Sequence, residues 1–146
     1  MKKKLKKIVI KVGSSLITNY GTGAVKNKWV DDFVNNVYEL YKKNIKVVIV
    51  SSGAIAIGRK KIKTFKSKLT LQEQQASASI GQIYLVNTYK KSFSKKKIET
   101  SQILLTLEDT QKKEKKINAR KTIEKLLESR IIPIINENDT VATDEI

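Results

Sequence analysis

Cysteine and histidine are both absent from the 146 residues of the chain. Without cysteine the chain can form neither a disulfide framework nor a thiolate metal site, and without histidine it has no imidazole base. We assign no metal ligand from the sequence.

Long apolar runs are also missing. No run approaches the ~20 residues that cross a bilayer, so we expect no membrane partner. The Lys-rich start (residues 1–7) is followed by a short apolar stretch (8–12), which is too short for the hydrophobic region of a signal peptide. The apolar fraction of 40% indicates a globular chain, and the length allows one domain with a core but not two. We expect a cytoplasmic location.

The formal net charge of +16 is the strongest bulk feature. Nucleic-acid binding would explain it, because Lys and Arg neutralise phosphates. The lysines, however, are scattered through every polar segment with little aromatic interleaving, and arginine occurs only at Arg59, Arg120 and Arg130. Because Arg is the usual fork for bases and phosphates, this distribution favours a solvated, Lys-coated surface over a nucleic-acid partner.

Short apolar runs alternate with helical patterns along the chain. Strands are predicted at 6–12, 47–50, 101–107 and 131–135, and helices at about 28–44, at about 70–92 and up to about residue 129. The strand runs are too uniformly apolar for a sheet with one solvated face. The order βαβαβαβ therefore predicts an α/β fold with a mainly parallel sheet, helices on both faces and right-handed crossovers.

Three details of the helices can be checked against a structure. The helix at 70–92 is predicted to have one apolar side, formed by Ala76, Ser79, Ile80, Ile83 and Val86. Gly81 weakens this helix unless close packing requires the missing side chain. The polar helix that follows has a narrower buried face of Ile117, Ile123, Leu126 and Leu127, and residues 59–68 are expected to form a basic surface connection.

Small or polar clusters follow three of the four predicted strands. They are Gly13-Ser14-Ser15, Ser51-Ser52-Gly53-Ala54 and Asn136-Glu137-Asn138-Asp139. Ligands of open α/β sheets bind outside the carboxyl ends of the strands. Because parallel strands bring these ends to one edge, we expect the three clusters to share a ligand site.

Each cluster has a functional and a structural interpretation. Lys11 beside the glycine turn is a phosphate-binding arrangement or one more surface lysine. Ser52 and its neighbours can hold a carboxylate or simply cap a helix. Asn136 and Asp139 can bind a ligand ammonium and carbonyl, or can form a turn. Charges of both signs on one edge suit a small zwitterion plus a phosphate, although neither a P-loop nor a dinucleotide fingerprint is present.

Six segments carry a resemblance to a known family. IVIKVGSSLIT, VVIVSSGAIAIG, QQASASIGQ, QILLT, NARKTI and IPIINENDTVAT follow one another along essentially the whole chain. They resemble the successive landmarks of the glutamate 5-kinases, which belong to the amino acid kinase superfamily. SSGAI together with NENDTVA is specific to the glutamate 5-kinases within that superfamily.

The resemblance implies a three-layer sandwich and a phosphotransferase. The implied reaction transfers the γ-phosphoryl group of ATP, with Mg²⁺, to the side-chain carboxylate of L-glutamate, which is the first step of proline biosynthesis. Phosphoryl transfer depends on positioning and charge stabilisation, so it needs no histidine or cysteine. The matching residues are Lys11, which contacts the transferred phosphate beside Gly13, and the glutamate-binding Ser52 and Asp139, with Asn136 as further support.

The resemblance also implies partners and a boundary. It implies a homo-oligomer, for which the weakly charged segment 72–86 is the expected contact, and a glutamyl phosphate reductase acting downstream. Glutamate 5-kinases continue past the point matched by Ile146 with a Gly-Asp-Asn-Asp segment and a nucleotide-binding half. We therefore expect residues 1–146 to be the N-terminal, glutamate-binding portion of an amino acid kinase domain, truncated before that half and without a second domain. A complemented kinase, an inactive kinase fragment and a basic nucleic-acid-binding remnant all stay open.

Overall fold

The computed structural model describes residues 6–62 and 68–142. The strands are β1 (Lys7–Val12), β2 (Lys46–Ser51), β3 (Thr100–Leu105) and β4 (Ile132–Glu137). The helices are α1 (Ser14–Ile17), α2 (Asn27–Lys42), α3 (Ala54–Lys61), α4 (Leu71–Ser94), α5 (Leu107–Gln111) and α6 (Lys113–Glu128). No helix in the described ranges is both long and apolar enough to span a bilayer.

The four strands form one sheet in the order β1-β2-β4-β3, and every neighbouring pair is parallel. The predicted α/β fold with a mainly parallel sheet is therefore confirmed. The central strands β2 and β4 are buried on both faces along most of their length. Their sequences are therefore nearly continuous apolar runs rich in the β-branched residues Val and Ile.

Helices cover both faces of the sheet, as predicted. On one face, α2 and α4 pack together, where Phe33 meets Tyr89 edge to face with ring centroids 6.3 Å apart. On the other face, α6 reaches β1, where Lys7 pairs with Glu124 at 3.5 Å. This second face is less completely covered, because Val9 in the edge strand β1 remains 62% exposed. The core lies mainly between the sheet and the α2–α4 layer.

The predicted apolar side of α4 is wrong. Ala76, Ser79 and Ile83 are exposed, with Ile83 at 64%. The buried side consists of residues that are mostly small, polar or aromatic: Ser77, Ala78, Gly81, Gln82, Leu85, Tyr89, Ser92 and Phe93. Spacing of aliphatic residues gave the wrong side because this helix packs through backbone contact and buried hydrogen bonds.

Close packing explains the glycine inside α4. A Cβ atom at Gly81 would overlap the carbonyl oxygen of Ala54 in α3, and one at Gly58 would overlap the carbonyl oxygen of Ser77 in α4. The two helices therefore touch backbone to backbone, which only residues without side chains permit.

Two further expectations need correction. The polar segment after β3 forms two helices, because a capping box of Thr106 and Asp109 starts α5, and Ile117 in α6 is 41% exposed rather than buried. The basic connection predicted at 59–68 begins inside α3, which continues to Lys61. Residues 63–67 of that connection lie outside the described residues.

The glycine contact predicts a large effect of a one-carbon substitution. Gly81→Ala should lower the free energy of unfolding by about 2–4 kcal/mol, because the added methyl group overlaps backbone that cannot rotate away. This loss outweighs the ~1 kcal/mol that alanine contributes as a helix former. Urea denaturation followed by circular dichroism measures the change.

Gly13→Ala is the matched control, because a Cβ at Gly13 meets no atom within 4 Å. Its unfolding free energy should stay within about 0.5 kcal/mol of the parent value. Equal stability of the Gly81→Ala chain and the parent chain would show that the helices are not in backbone contact.

Candidate functional site

Three strand ends meet at one edge of the sheet. Val12 pairs with Ser51 and Val50 pairs with Ile135, so β1, β2 and β4 end at nearly the same level. Neighbouring strands lie about 4.8 Å apart, which places the ends of β1 and β4 about 10 Å apart. The structure thus brings the segments that contain Gly13, Ser52 and Asp139 to the same edge.

The turn between β2 and α3 leaves the N-terminus of α3 without a capping side chain. Gly53 has φ +119° and provides no side chain to cap the helix. A Cβ there would come within 2.9 Å of Cγ2 of Ile17 in α1, so a larger residue would be both strained and crowded. The Ser52 amide donates to the Val12 carbonyl at 3.0 Å, which fixes the turn against β1. The first amides of α3 therefore lie at this edge without a capping side chain, and they suit an anion.

The end of β1 contributes a cation. Lys11 is exposed, and its ammonium forms no ion pair or hydrogen bond with any residue of the described ranges. Because side chains alternate along a strand, Lys11 leaves the sheet on the same face as Lys7, which pairs with Glu124 of α6. Beside it, the turn at Gly13 is open, since no atom lies within 4 Å of the position of a Cβ.

The loop after β4 is held from two sides. The Asn138 amide donates to the Leu105 carbonyl at the end of β3 at 2.9 Å. From α4, Nε2 of Gln75 donates to the Ala142 carbonyl at 3.3 Å. Asp139 lies between these two anchors, so its position is set by the sheet and by α4 together.

The surroundings of Asp139 disfavour the ionised form of its carboxyl group. Burial raises the pKa of its carboxyl group, and the negative charge of Glu137 raises it further. Within the described residues its carboxylate has no hydrogen bond or ion pair. A cationic ligand group at this edge would compensate for the lost solvation.

Two buried hydrogen bonds link α4 to the sheet just below this edge. Ser51 Oγ and the Tyr89 hydroxyl are 3.0 Å apart, and Nδ2 of Asn136 donates to Oε1 of Gln82 at 2.6 Å. Burial raises the pKa of Tyr89 to about 12, so its hydroxyl stays neutral at physiological pH. The side chain of Asn136 thus points towards α4 and is 7% exposed, whereas Asp139 sits in the loop beyond it.

Sequence reasoning missed the contribution of α4. It expected an oligomer contact at 72–86 but placed no residue of the ligand site in this helix, although Gln75, Gln82 and Tyr89 all reach the strand ends or the loop after β4. The available signal was Gly81, whose missing side chain indicated a close contact of this helix, and not the neighbouring Gln82 itself.

Metal ligands are not evident at this edge. Among the described residues, no three His, Cys, Asp or Glu side chains come together as a metal site would require. A cavity of about 150 Å³ lies at the opposite edge of the sheet, beside Tyr41, Lys46 and Arg130. It is far from the strand ends that carry Ser52 and Asp139, and we do not assign it to the site.

Comparison with known proteins identifies related chains. The model of the amino acid kinase family matches residues 6–146. The glutamate 5-kinase of Pelagibacter ubique (strain HTCC1062) is 50% identical over 139 residues, which is 95% of this chain and 38% of that protein. The glutamate 5-kinase of Rhodopseudomonas palustris (strain HaA2) is 47% identical over 141 residues, 97% of this chain and 38% of that protein. The chain thus spans about 38% of the length of these curated relatives.

A solved structure supports the fold. The UMP kinase from Bacillus anthracis superposes with a TM-score of 0.58 at 14% sequence identity, covering 91% of this chain and 53% of that one. At this identity the similarity concerns the fold alone. The resemblance drawn from the sequence motifs is confirmed by the family match and by the two relatives.

The raised pKa of Asp139 predicts that this carboxylate destabilises the free chain. A folded-state pKa above the unfolded value means that the ionised form is disfavoured by folding, so the penalty is present at neutral pH and disappears at about pH 2–3, where the acid is protonated in both states. Asp139→Asn should therefore raise the Tm at pH 7 by about 1–3 °C. Thermal unfolding at both pH values measures the difference.

Asp32→Asn is the control, because Asp32 is an exposed carboxylate on α2. Its Tm should change by less than about 1 °C at either pH. A lower Tm of Asp139→Asn at pH 7 would show that the carboxylate has a stabilising partner within the free chain.

Proposed function

The chain belongs to the amino acid kinase family, and from this premise we propose that it is the glutamate-binding part of a glutamate 5-kinase. The proposed reaction is ATP-dependent phosphorylation of the side-chain carboxylate of L-glutamate to L-glutamyl 5-phosphate. The observation that carries the proposal is the unpaired, half-buried carboxylate of Asp139 at the same edge as the uncapped N-terminus of α3. A free amino acid has the matching ammonium and carboxylate.

Each end of the substrate has a proposed partner. The ammonium group binds Asp139, with Asn136 beside it, because a cation removes the cost of the desolvated carboxylate. A carboxylate binds the Ser52 hydroxyl and the first amides of α3, where unpaired N–H groups and the helix dipole favour negative charge. Two opposite charges at fixed separation orient the amino acid along the edge.

The phosphate side of the site is assigned to Lys11 and Gly13. A side-chain oxygen of glutamate attacks the γ-phosphorus of ATP, the new P–O bond forms, and the bond to the β-phosphate oxygen breaks to release ADP. The attacking carboxylate carries no proton, so the reaction requires no base, in agreement with the absence of histidine. The ammonium of Lys11 compensates for negative charge on the transferring group, and the open turn at Gly13 leaves room for it.

ATP and Mg²⁺ are the proposed cofactors. Mg²⁺ would neutralise charge on the phosphates when it arrives with ATP. The described residues contain no cluster of three metal-binding side chains, so we assign no protein ligand to it. The site for the rest of the nucleotide is not assigned to this chain, which spans about 38% of the length of its relatives. We propose that residues 1–146 form one portion of a single kinase domain.

The biological setting follows from the same proposal. The product is a mixed anhydride of glutamate and phosphate, which the reductase of proline biosynthesis consumes in the cytoplasm. We interpret the net charge of +16 as a solvated surface: six lysines of the described residues pair with nearby acids, as Lys95 does with Asp31 at 2.9 Å.

The proposed roles predict different kinetic effects of two substitutions. The test uses residues 1–146 fused to the remaining part of the Pelagibacter relative, which provides the matching second part. Lys11→Ala should lower kcat about 100-fold or more with little change in the KM for glutamate, because it removes a charge that acts on the transition state. Asp139→Ala should raise the KM for glutamate at least tenfold, because its partner is present in the ground state too. Glutamate-dependent formation of ADP is the measurement.

Lys46→Ala is the matched control, because Lys46 is an exposed lysine at the opposite end of β2. It should leave both kinetic constants within about twofold of the parent values. A kcat of Lys11→Ala close to that of the parent fusion would remove the phosphate role, and a fusion without glutamate-dependent turnover would contradict the proposed reaction.

We also propose that the complete protein self-associates through α4. The exposed side of this helix carries the large apolar side chains of Ile83 (64% exposed) and Tyr84 (44% exposed), and the ammonium of Lys61 lies 4.4 Å from the centre of the Tyr84 ring. Ile83→Lys in the same fusion should shift its sedimentation from oligomer towards monomer, while Lys90→Glu, an exposed change later in α4, should not. A parent fusion that sediments as a monomer would contradict this proposal.

A further inference from the structure

Gln82 is placed where an apolar residue would stabilise the free chain better. It lies on the buried side of α4 and is 9% exposed, yet its Nε2 atom is fully buried and has no hydrogen-bond partner within the described residues. A buried donor without a partner costs free energy, and an aliphatic side chain of similar size would avoid that cost. Packing therefore does not explain the amide at this position.

The other half of the amide has a specific partner. Oε1 of Gln82 accepts a hydrogen bond from Nδ2 of Asn136 at 2.6 Å. Asn136 is 7% exposed and belongs to β4, one residue before Glu137 at the edge described above. Because Gln82 offers an acceptor, the nitrogen of the Asn136 amide faces α4 and its oxygen faces away from Gln82.

This orientation matters for the sign of charge that the edge can bind. An ammonium group has three N–H donors and needs acceptors, which Asp139 and the Oδ1 atom of Asn136 can provide. With the amide reversed, Asn136 would turn N–H donors towards the ammonium and repel it. Within the described residues Oδ1 of Asn136 accepts no hydrogen bond, so it is free for a ligand.

We propose that Gln82 is a positioning residue that fixes the side-chain amide of Asn136 with its oxygen towards the ammonium group of the bound amino acid. The inference rests on the proposed function, because it assumes that an amino acid binds at this edge. Gln82 does not touch the substrate; it acts through Asn136. Its neighbour Gly81 sets the depth of this part of α4, since a Cβ there would overlap the backbone of α3.

The first test measures ligand selectivity of the chain by isothermal titration calorimetry. The probes are L-glutamate and glutarate, which has the same two carboxylates but no ammonium. Gln82→Met, which fills similar space without an acceptor, should weaken L-glutamate binding about tenfold to a hundredfold and leave glutarate binding within about threefold. If Gln82 had a merely structural role, Gln82→Met would weaken the binding of both ligands equally. An equal loss of affinity for the two ligands would therefore overturn the inference.

Two further variants complete this test. Gln82→Glu keeps an acceptor oxygen for Asn136 and should retain L-glutamate affinity within about threefold. Ser92→Ala removes another hydrogen bond of α4, the partly buried 2.6 Å bond that Ser92 Oγ donates to Oδ1 of Asp31, and should not alter the selectivity between the two ligands. If Gln82→Glu binds L-glutamate as weakly as Gln82→Met does, the acceptor role of Gln82 is wrong.

A second test needs no ligand and separates the inference from the proposed function. In nuclear magnetic resonance spectra, the side-chain NH₂ group of Asn136 should show one downfield, slowly exchanging proton, which disappears in Gln82→Met and persists in Gln82→Glu. Such protection on the NH₂ group of Gln82 instead would show the opposite orientation and overturn the inference. Failure of the parent chain to bind L-glutamate would contradict the proposed function for this chain, and the NH₂ signals would still decide the role of Gln82.

Discussion

Backbone contact between α3 and α4 is the constraint on which the candidate site depends. Gly58 and Gly81 allow the two helices to touch where any Cβ would overlap a carbonyl oxygen of the other helix. The contact lowers α4 onto the sheet, so that Gln82 reaches Asn136, Tyr89 reaches Ser51 and Gln75 reaches the loop after β4. It also fixes α3, whose uncapped N-terminus follows Ser52. A single packing contact thus positions both the N-terminus of α3, which suits an anion, and the loop that carries Asp139.

The edge stands out because it holds a partly buried carboxylate, that of Asp139, without a partner in the described residues. Several exposed acids elsewhere do pair with bases, as Asp109 does with Lys115 at 3.0 Å and Glu124 with Arg120 at 3.3 Å. Lys11 and Asp139 have no such partner within the described residues, and burial raises the pKa of Asp139. Groups that lack partners in the free chain are available to a ligand, and a zwitterion with a phosphate donor supplies charges of both signs. The predicted cost of the ionised Asp139 to the stability of the free chain fits a binding role.

The sequence predicted what depends on local pattern and missed what depends on close packing. The four strands were predicted from apolar β-branched runs. The common position of Ser52 and Asp139 was predicted from the fact that parallel strands end at one edge of the sheet. The buried side of α4 was predicted wrongly, because Ser77, Gly81 and Gln82 are buried through backbone contact and hydrogen bonds rather than through hydrophobicity. For the same reason Gln82 gave no signal, since a lone glutamine in a polar helix has no distinctive spacing. The roles of the site residues depend on a ligand, and neither strand nor helix periodicity encodes them.

We propose above that the strand ends of this chain bind L-glutamate. The most direct measurement is a titration of the ¹⁵N-labelled chain with L-glutamate, followed through its backbone amide signals. We expect the largest shifts at the first residues of α3 and in the loop after β4, around Ser52 to Ala54 and Asn138 to Asp139. Signals beside Tyr41, Lys46 and Arg130, which line the cavity at the opposite edge, should stay in place. Shifts confined to that opposite edge, or no shifts at millimolar L-glutamate, would show that the strand ends do not bind L-glutamate.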